Sequence, residues 1–206
     1  PHETLEITSH SEVELTPMLS PAPEASPPWE SVRDALQNAN NEELLDADQF
    51  TFPSNCVPYS DALLEYGAAS FPPGRPVFLG AVDLMHRIYS EFTYDPEATT
   101  VSTPVEEVLA NKHGVCQDFA HVQIGCLRAL GLAARYVSGY IAPLRSASGE
   151  ELIGAQASHA WLSVYAPGHG WLDVDPTNDV VPSTDHITLG WVREFEEISP
   201  VRGVIL

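Results

Sequence analysis

From Trp29 onward the hydrophobic pattern of the chain changes its period once, at Gly131, and this change limits the fold more than any other feature. Before Gly131, apolar residues recur every three or four positions, as in amphipathic helices. After it, apolar and polar residues alternate, which is typical of half-buried strands. The segments with this alternation are residues 134–142, 158–166 and 171–175. Helices followed by strands predict an α+β fold, with the helices packed on an antiparallel sheet.

Start and stop signals divide the helical part further. Ser60, Pro76 and the Ser102–Thr103–Pro104 run are typical of helix starts, and Gly114 and Gly131 of helix ends. We expect residues 39–59 to be irregular and the helix from Pro76 to be central. The predicted helices are residues 29–36, 60–69, 76–92, 104–113 and 116–130, and shorter strands are expected at 186–191 and 203–206.

The N-terminal part differs from the rest. Apolar residues alternate with polar ones between residues 4 and 15, which predicts one or two strands, and residues 17–28 contain five prolines, which predicts an extended linker. We therefore expect a linker at residues 17–28 to separate residues 1–16 from a larger domain, residues 29–206.

The charge of the chain excludes some classes of partner. Asp and Glu number 29 against 9 Lys and Arg, a formal net charge of −20 at pH 7. Clustered basic residues for nucleic acid or anionic membranes are lacking, and no apolar run approaches the roughly 18 residues of a membrane span. We expect a solvated acidic surface, with a cationic substrate or partner as the alternative. Three cysteines suggest no disulfide framework, which favours a reducing, cytoplasmic location.

Cys116 is the strongest candidate for chemistry. It opens a predicted helix directly after the glycine-containing turn HGV, where the helix dipole and free amide groups stabilise a thiolate. His159 stands on a predicted strand as its acid/base partner, and Asp175 lies on the next strand, where it can fix the imidazole. Alternation puts His159 and Asp175 on one face of the sheet. Asp173 shares that face, so spacing alone does not exclude it as the third member, but Asp175 is preferred because it lies farther from the turn and nearer the level of His159.

Three segments carry a family resemblance. The stretches GVCQDFAHVQIGCLRALGLAARYVSGY (114–140), SHAWLSVYAPGHGWLDVDPTND (158–179) and DHITLGW (185–191) resemble the transglutaminase-like superfamily, especially its bacterial cysteine peptidase branch. The resemblance implies a papain-like α+β core with the nucleophile at a helix N-terminus. It also implies that residues 1–16 are the remnant of a β-rich N-terminal domain and that residues 29–206 are the catalytic domain.

The resemblance also assigns roles to individual residues. It implies a catalytic triad of Cys116, His159 and Asp175, no calcium and no other cofactor. The chemistry implied is acyl transfer through a thioester, in which the Cys116 backbone amide and one further donor hold the oxyanion. Tyr94 and Gln117 are candidates for that donor, and Trp161 is a candidate for supporting the site or lining its cleft.

Several alternatives remain at this stage. Hydrolysis of a peptide or amide bond is the first expectation, and transamidation of protein glutamine uses the same groups. A binding module that retains the fold without catalysis is the alternative from another class. A zinc site built on His113, Cys116 and His121 is a weaker reading, and Cys56 and Cys126 are expected to be structural. We predict no metal.

Overall fold

The computed structural model describes residues 10–16, 21–142, 152–154 and 157–198. Within these ranges the helices precede the main sheet, as predicted. The α-helices are α1 (Trp29–Gln37), α2 (Glu42–Asp48), α3 (Asp61–Ala68), α4 (Val77–Glu91), α5 (Val105–Asn111) and α6 (Cys116–Ala129). The strands are β1 (Thr93–Tyr94), β2 (His113–Gly114), β3 (Ala134–Ile141), β4 (Ser158–Ala166), β5 (Gly170–Val174) and β6 (His186–Val192).

The main sheet has the order β5-β4-β3-β6, and every pair in it is antiparallel. A second, two-stranded sheet pairs β1 with β2 in parallel, just before α6. The α+β prediction is therefore confirmed. The left-handed conformation of Gly131, with φ of 79°, ends α6 and turns the chain into β3.

The helix from Pro76, α4, buries most of one face against α1, α6 and strands β4 and β5, but the most completely buried helix is α6. All residues from 118 to 128 of α6 are buried, because α3, α4 and α5 contact the helix together with β3 and β4. The buried polar side chains on α6 have partners in the protein. Gln123 Nε2 donates to the carbonyl of Ala81 at 2.8 Å, and the Arg128 guanidinium donates to the carbonyls of Ala134 and Arg193.

Local signals were misread at three places. Residues 39–59 are not wholly irregular, because Asn41 caps α2 by accepting the Leu44 amide at 2.9 Å. The helix α5 ends at Lys112, which is left-handed with φ of 56°, and not at Gly114. Ser60 precedes α3 as predicted, but its hydroxyl bonds to Glu106 at 2.5 Å and does not cap the helix.

The Pro-rich segment packs on the helices where it is described. Ser26 Oγ accepts the backbone amide of Phe78 at 3.1 Å, and the carbonyl of Pro27 accepts that of Val77 at 2.9 Å. Residues 10–16 form neither helix nor strand, while residues 1–9 and the predicted strand at 203–206 lie outside the described residues. The domain division at residues 16 and 28 stays a prediction. Within the described ranges, the helices lack the length and apolar character that crossing a bilayer requires.

The packing of α3 on α6 requires a glycine at position 67. A Cβ at Gly67 would lie 2.8 Å from Cys126 Cβ and 3.3 Å from Cys126 Cα. We predict that Gly67→Ala lowers the free energy of unfolding by about 1–3 kcal/mol, although alanine is the better helix former. Urea denaturation measures this. The exposed Ala68→Ser on the same helix is the control and should change stability by less than about 0.5 kcal/mol; equal effects of the two changes would contradict the close contact.

Candidate active site

Cys116 is the first residue of α6, and the chain before it is held in place by α6 itself. The Asp118 carboxylate accepts the backbone amide of Val115 at 2.9 Å and the Thr99 hydroxyl at 2.6 Å. A Cβ at Gly114 would lie 2.6 Å from Asp118 Oδ2. Only glycine therefore leaves room for the Asp118 carboxylate to bond back to the Val115 amide. The first amide groups of α6 surround Cys116, where they favour a thiolate.

His159 and Asp175 meet in the interior of the protein. The imidazole donates from Nε2 to Asp175 Oδ2 at 2.8 Å, and both side chains are fully buried. Asp175 follows the last residue of β5, so it lies diagonally across from His159 on β4. The sequence-predicted neighbours are thus brought together by the β4–β5 hairpin.

The Asp175 carboxylate accepts four hydrogen bonds. His186 Nε2 and Asn178 Nδ2 donate to Oδ2 at 3.0 and 2.8 Å, beside His159, and the Thr177 amide donates to Oδ1 at 2.9 Å. Burial alone would raise the pKa of Asp175, but the hydrogen bonds from His159, His186 and Asn178 and the charge of His159 lower it below its ordinary value. The carboxylate therefore stays ionised in spite of its burial.

The electrostatics of His159 favour its protonated form. Burial lowers the pKa of the imidazole, but Asp175 and the Cys116 thiol outweigh burial and raise that pKa to about 9. The second ring nitrogen, Nδ1, is buried and has no hydrogen bond of normal geometry. Cys116 is thus near enough to affect the charge of the imidazole, although thiol and Nδ1 are not aligned as a hydrogen bond. Such looseness is common in unliganded sites.

Trp161 forms a platform for His159. The two rings stack with their centroids 6.1 Å apart and an angle of 24° between their planes. The indole Nε1 donates to Asp173 Oδ2 at 3.1 Å, and the Ser163 hydroxyl donates to Asp173 Oδ1. Trp161 therefore supports His159, and its N–H is engaged with Asp173. Asp173, which spacing alone did not exclude as the third member, therefore bonds to Trp161 and Ser163. Asp175 is the aspartate that bonds to His159.

The other proposed oxyanion donors lie near Cys116. Burial and then the charge of Cys116 raise the pKa of the Tyr94 hydroxyl, so Tyr94 is close enough to interact electrostatically with Cys116. Gln117 follows Cys116 in the first turn of α6. Among the described residues, neither side chain has a hydrogen-bond partner within the protein. Tyr136 also lies near Cys116, and burial followed by the charge of Cys116 raises its pKa well above the ordinary value. The sequence analysis missed Tyr136, because it alternates like any core residue of β3.

Residues 152–154 cover His159, another feature that was missed. A Cβ at Gly154, where φ is 96°, would lie 2.5 Å from His159 Nδ1. The neighbouring Ile153 is held by the side chain of Asn178. A sequence signal existed for Asn178 alone, because Asp and Asn three residues apart in DPTN are typical of a turn closed by side chains.

Two groups of side chains in the described part of the chain bring metal-type ligand atoms within 4.8 Å of one another. They are His159, Asp175 and His186, and Cys56, Glu194 and Glu196. In the first group both Nε2 atoms already bond to Asp175. In the second, Glu194 Oε2 accepts the Cys56 amide at 2.7 Å.

The two histidines of the alternative zinc site, His113 and His121, bond to other groups of the protein. His113 Nδ1 lies 2.6 Å from the carbonyl of Asn111, to which it donates, and His121 Nε2 accepts the Phe195 amide at 3.3 Å. His121 also packs on Tyr136, with ring centroids 5.2 Å apart. His121 is therefore a buried packing residue of α6.

Comparison with known proteins agrees with this arrangement. The sequence profile of the transglutaminase-like superfamily matches residues 73–176, a range that contains Cys116, His159 and Asp175. The chain belongs to the transglutaminase-like superfamily. His186 and Asn178 lie beyond the matched range.

The individual relatives cover this superfamily member to different extents. An uncharacterised protein, Rv2569c of Mycobacterium tuberculosis, is 43% identical over 212 residues, covering the whole of this chain, which spans 66% of that protein. A protein-glutamine gamma-glutamyltransferase of Pseudomonas aeruginosa is 34% identical over 107 residues, 48% of this chain and 16% of that protein. The crystal structure described as "a Putative Cysteine Protease" from Cytophaga hutchinsonii has a TM-score of 0.64 at 26% identity, over 79% of this chain and 51% of that one. These likenesses support an enzyme.

The charge of His159 should be visible in the pH dependence of stability. Its pKa is about 9 when folded and about 6.5 when unfolded, so the folded state holds the proton more tightly. The resulting stabilisation is fully present below about pH 6.5 and is lost as the pH rises through about 9. Urea unfolding across this window should show a decline in stability that is much weaker in His159→Gln.

His169 provides the control for that experiment. It lies in the turn between β4 and β5, where its ring faces Phe78 at 6.4 Å, and it makes no hydrogen bond to Asp175. His169→Gln should keep the wild-type decline. A His159→Gln protein that declines as steeply as the wild type would contradict the charge assigned to His159.

Proposed function

We propose that this protein catalyses cysteine-dependent acyl transfer on amide bonds, with Cys116 as nucleophile, His159 as acid/base and Asp175 as the group that orients and stabilises the imidazolium. The observation that carries the proposal is the buried His159–Asp175 hydrogen bond of 2.8 Å, on an imidazole whose pKa is raised by both Asp175 and Cys116. A structural histidine would have no need of a thiol at a helix N-terminus beside it.

Acylation begins with attack of the Cys116 thiolate on an amide carbonyl, which forms a C–S bond and an oxyanion. The Cys116 backbone amide and a second donor, Tyr94 or Gln117, stabilise this oxyanion. His159 then gives the Nδ1 proton to the leaving nitrogen as the C–N bond breaks, leaving a thioester and a neutral imidazole. Asp175 holds Nε2–H throughout, so Nδ1 is the nitrogen that transfers the proton.

Deacylation reverses the proton transfer. His159 removes a proton from water or from an amine, which attacks the thioester and expels the Cys116 thiolate. Hydrolysis, as peptidase or amidase, is the first assignment, supported by the likeness to the Cytophaga structure. Transamidation of glutamine is the second, supported by the 34% identity to the Pseudomonas glutamyltransferase. A peptide or protein is the substrate class in both cases.

The reactivity of the three cysteines tests the nucleophile. Burial chiefly raises the thiol pKa of Cys56 to about 11 and of Cys126 to about 12, so these thiols are internal controls. We predict that iodoacetamide alkylates Cys116 alone at about pH 6–7, below the ordinary thiol pKa of about 8.5, as read by peptide mass spectrometry. In His159→Gln this low-pH labelling should fall at least tenfold. Labelling of Cys116 only near pH 8.5 in the wild type would contradict an activated pair.

A product assay separates the two assignments. Glutamine-containing and acyl-peptide libraries are incubated with a labelled primary amine, and ammonia release, peptide cleavage and amine incorporation are measured together. We predict that the protein cleaves the peptides or releases ammonia from them without needing an amine. This activity should be lost in Cys116→Ala. Amine incorporation with no hydrolysis would replace the peptidase assignment with transamidation. An activated Cys116 that turns over no amide or ester would favour the binding module.

A further inference from the structure

The carboxamide of Asn178 makes hydrogen bonds in two directions. Toward the site, Nδ2 donates to Asp175 Oδ2 at 2.8 Å. Away from it, Oδ1 accepts the backbone amide of Ile153 at 2.8 Å, and Nδ2 also contacts the Ile153 carbonyl at 3.2 Å. One side chain thus joins the Asp175 carboxylate to a chain segment that lies 25 residues before Asn178 in sequence.

The segment held by Asn178 packs against the imidazole. Gly154 follows Ile153, and its φ of 96° is a conformation that residues with side chains rarely adopt. A Cβ at this position would lie 2.5 Å from His159 Nδ1 and 3.2 Å from its Cγ. The backbone of Gly154 therefore covers the side of the ring opposite Asp175, and a larger residue would be driven off it.

The turn that carries Asn178 is itself fixed to Asp175. Asp175 and Val180 exchange backbone hydrogen bonds of 2.9 and 3.4 Å across the turn. The Thr177 amide donates to Asp175 Oδ1 at 2.9 Å. These hydrogen bonds fix the backbone that carries Asn178. A displacement of Ile153 therefore reaches Asp175 through the Asn178 side chain.

We propose that Asn178 is a positioning residue that clamps His159 between Asp175 and the Ile153–Gly154 segment. This inference rests on the proposed function, in which Nδ1 exchanges its proton with the reacting atoms. Nε2 is bonded to Asp175 and Gly154 packs against the ring, while the buried Nδ1 has no hydrogen-bond partner among the described residues and Cys116 is close enough to influence the imidazole. Anything that displaces Ile153–Gly154, a substrate included, acts through Asn178 on the same Asp175 oxygen that orients His159.

Hydrogen exchange tests the clamp without any substrate. In ¹⁵N-labelled protein at about pH 6.5, NMR gives the exchange rates of the His159 Nε2–H, assigned by its loss in His159→Gln, and of the Ile153 amide. We expect Asn178→Ala to raise both rates about tenfold, the order of one lost hydrogen bond to a charged group. Gly154→Ala touches neither Asp175 nor Asn178, yet it should raise both rates too, because it displaces the segment from the other end.

Asp179→Asn is the matched control. It changes a neighbouring carboxylate in the same turn, which pairs with exposed His86 at 2.9 Å, and asparagine tolerates its left-handed φ of 53°. Both exchange rates should stay at their wild-type values in this variant, and thermal melting verifies that every variant is folded. Faster exchange of Ile153 with unchanged His159 in Asn178→Ala would overturn the coupling. Unchanged rates at both groups would overturn the clamp.

The alkylation and hydrogen-exchange experiments distinguish failure of the proposed function from failure of the clamp. An ordinary Cys116 in the alkylation experiment would overturn the proposed function, and with it any catalytic role for the clamp, whatever the exchange rates show. An activated Cys116 beside unchanged exchange rates in Asn178→Ala would overturn the clamp alone.

Discussion

The site depends on one buried negative charge, the carboxylate of Asp175. An ionised carboxylate removed from water is costly unless hydrogen bonds and opposite charge compensate it, and here no surface of the residue remains exposed. His159, His186, Asn178 and the Thr177 amide supply that compensation. The same bonds that keep Asp175 ionised fix the ring of His159 in one orientation. The hydrogen bonds that stabilise the Asp175 charge therefore also set the geometry of the site.

The sheet and the central helix bring this charge to the thiol. Strand β4 places His159 above Trp161, whose own N–H is held by Asp173, so the imidazole rests on a fixed surface. On the other side, Gly114 and Asp118 bend the chain so that α6 begins at Cys116. The helix is buried along its middle, which holds Cys116 in place relative to the sheet. Cys116 and His159 thus lie on a helix and a strand rather than on loops.

Much of this was predictable from the sequence because it depends on local rules. The switch of hydrophobic period at Gly131, the helix start at Cys116 and the hairpin that joins His159 to Asp175 each follow from a few neighbouring residues. Asp173 and Asp175 share a face, and Asp175 was preferred because it lies farther from the turn; in the structure Asp175 is the one that bonds to His159. Asn178 was missed although its bond to Asp175 is local, because its second partner, Ile153, is 25 residues away. Gly154 and Tyr136 were missed because neither residue type indicates contact with a site. The end of α5 at Lys112 was missed because a lysine gives no sign of a left-handed conformation.

We propose that Cys116 forms a thioester with the help of His159. Intact-protein and peptide mass spectrometry after brief exposure to an activated acyl ester at about pH 6.5, followed by hydroxylamine, tests this step. We expect one acyl group, on Cys116 alone, which hydroxylamine removes and which does not form in His159→Gln. Acylation shared with Cys56, or equal acylation of Cys116 in His159→Gln, would contradict it.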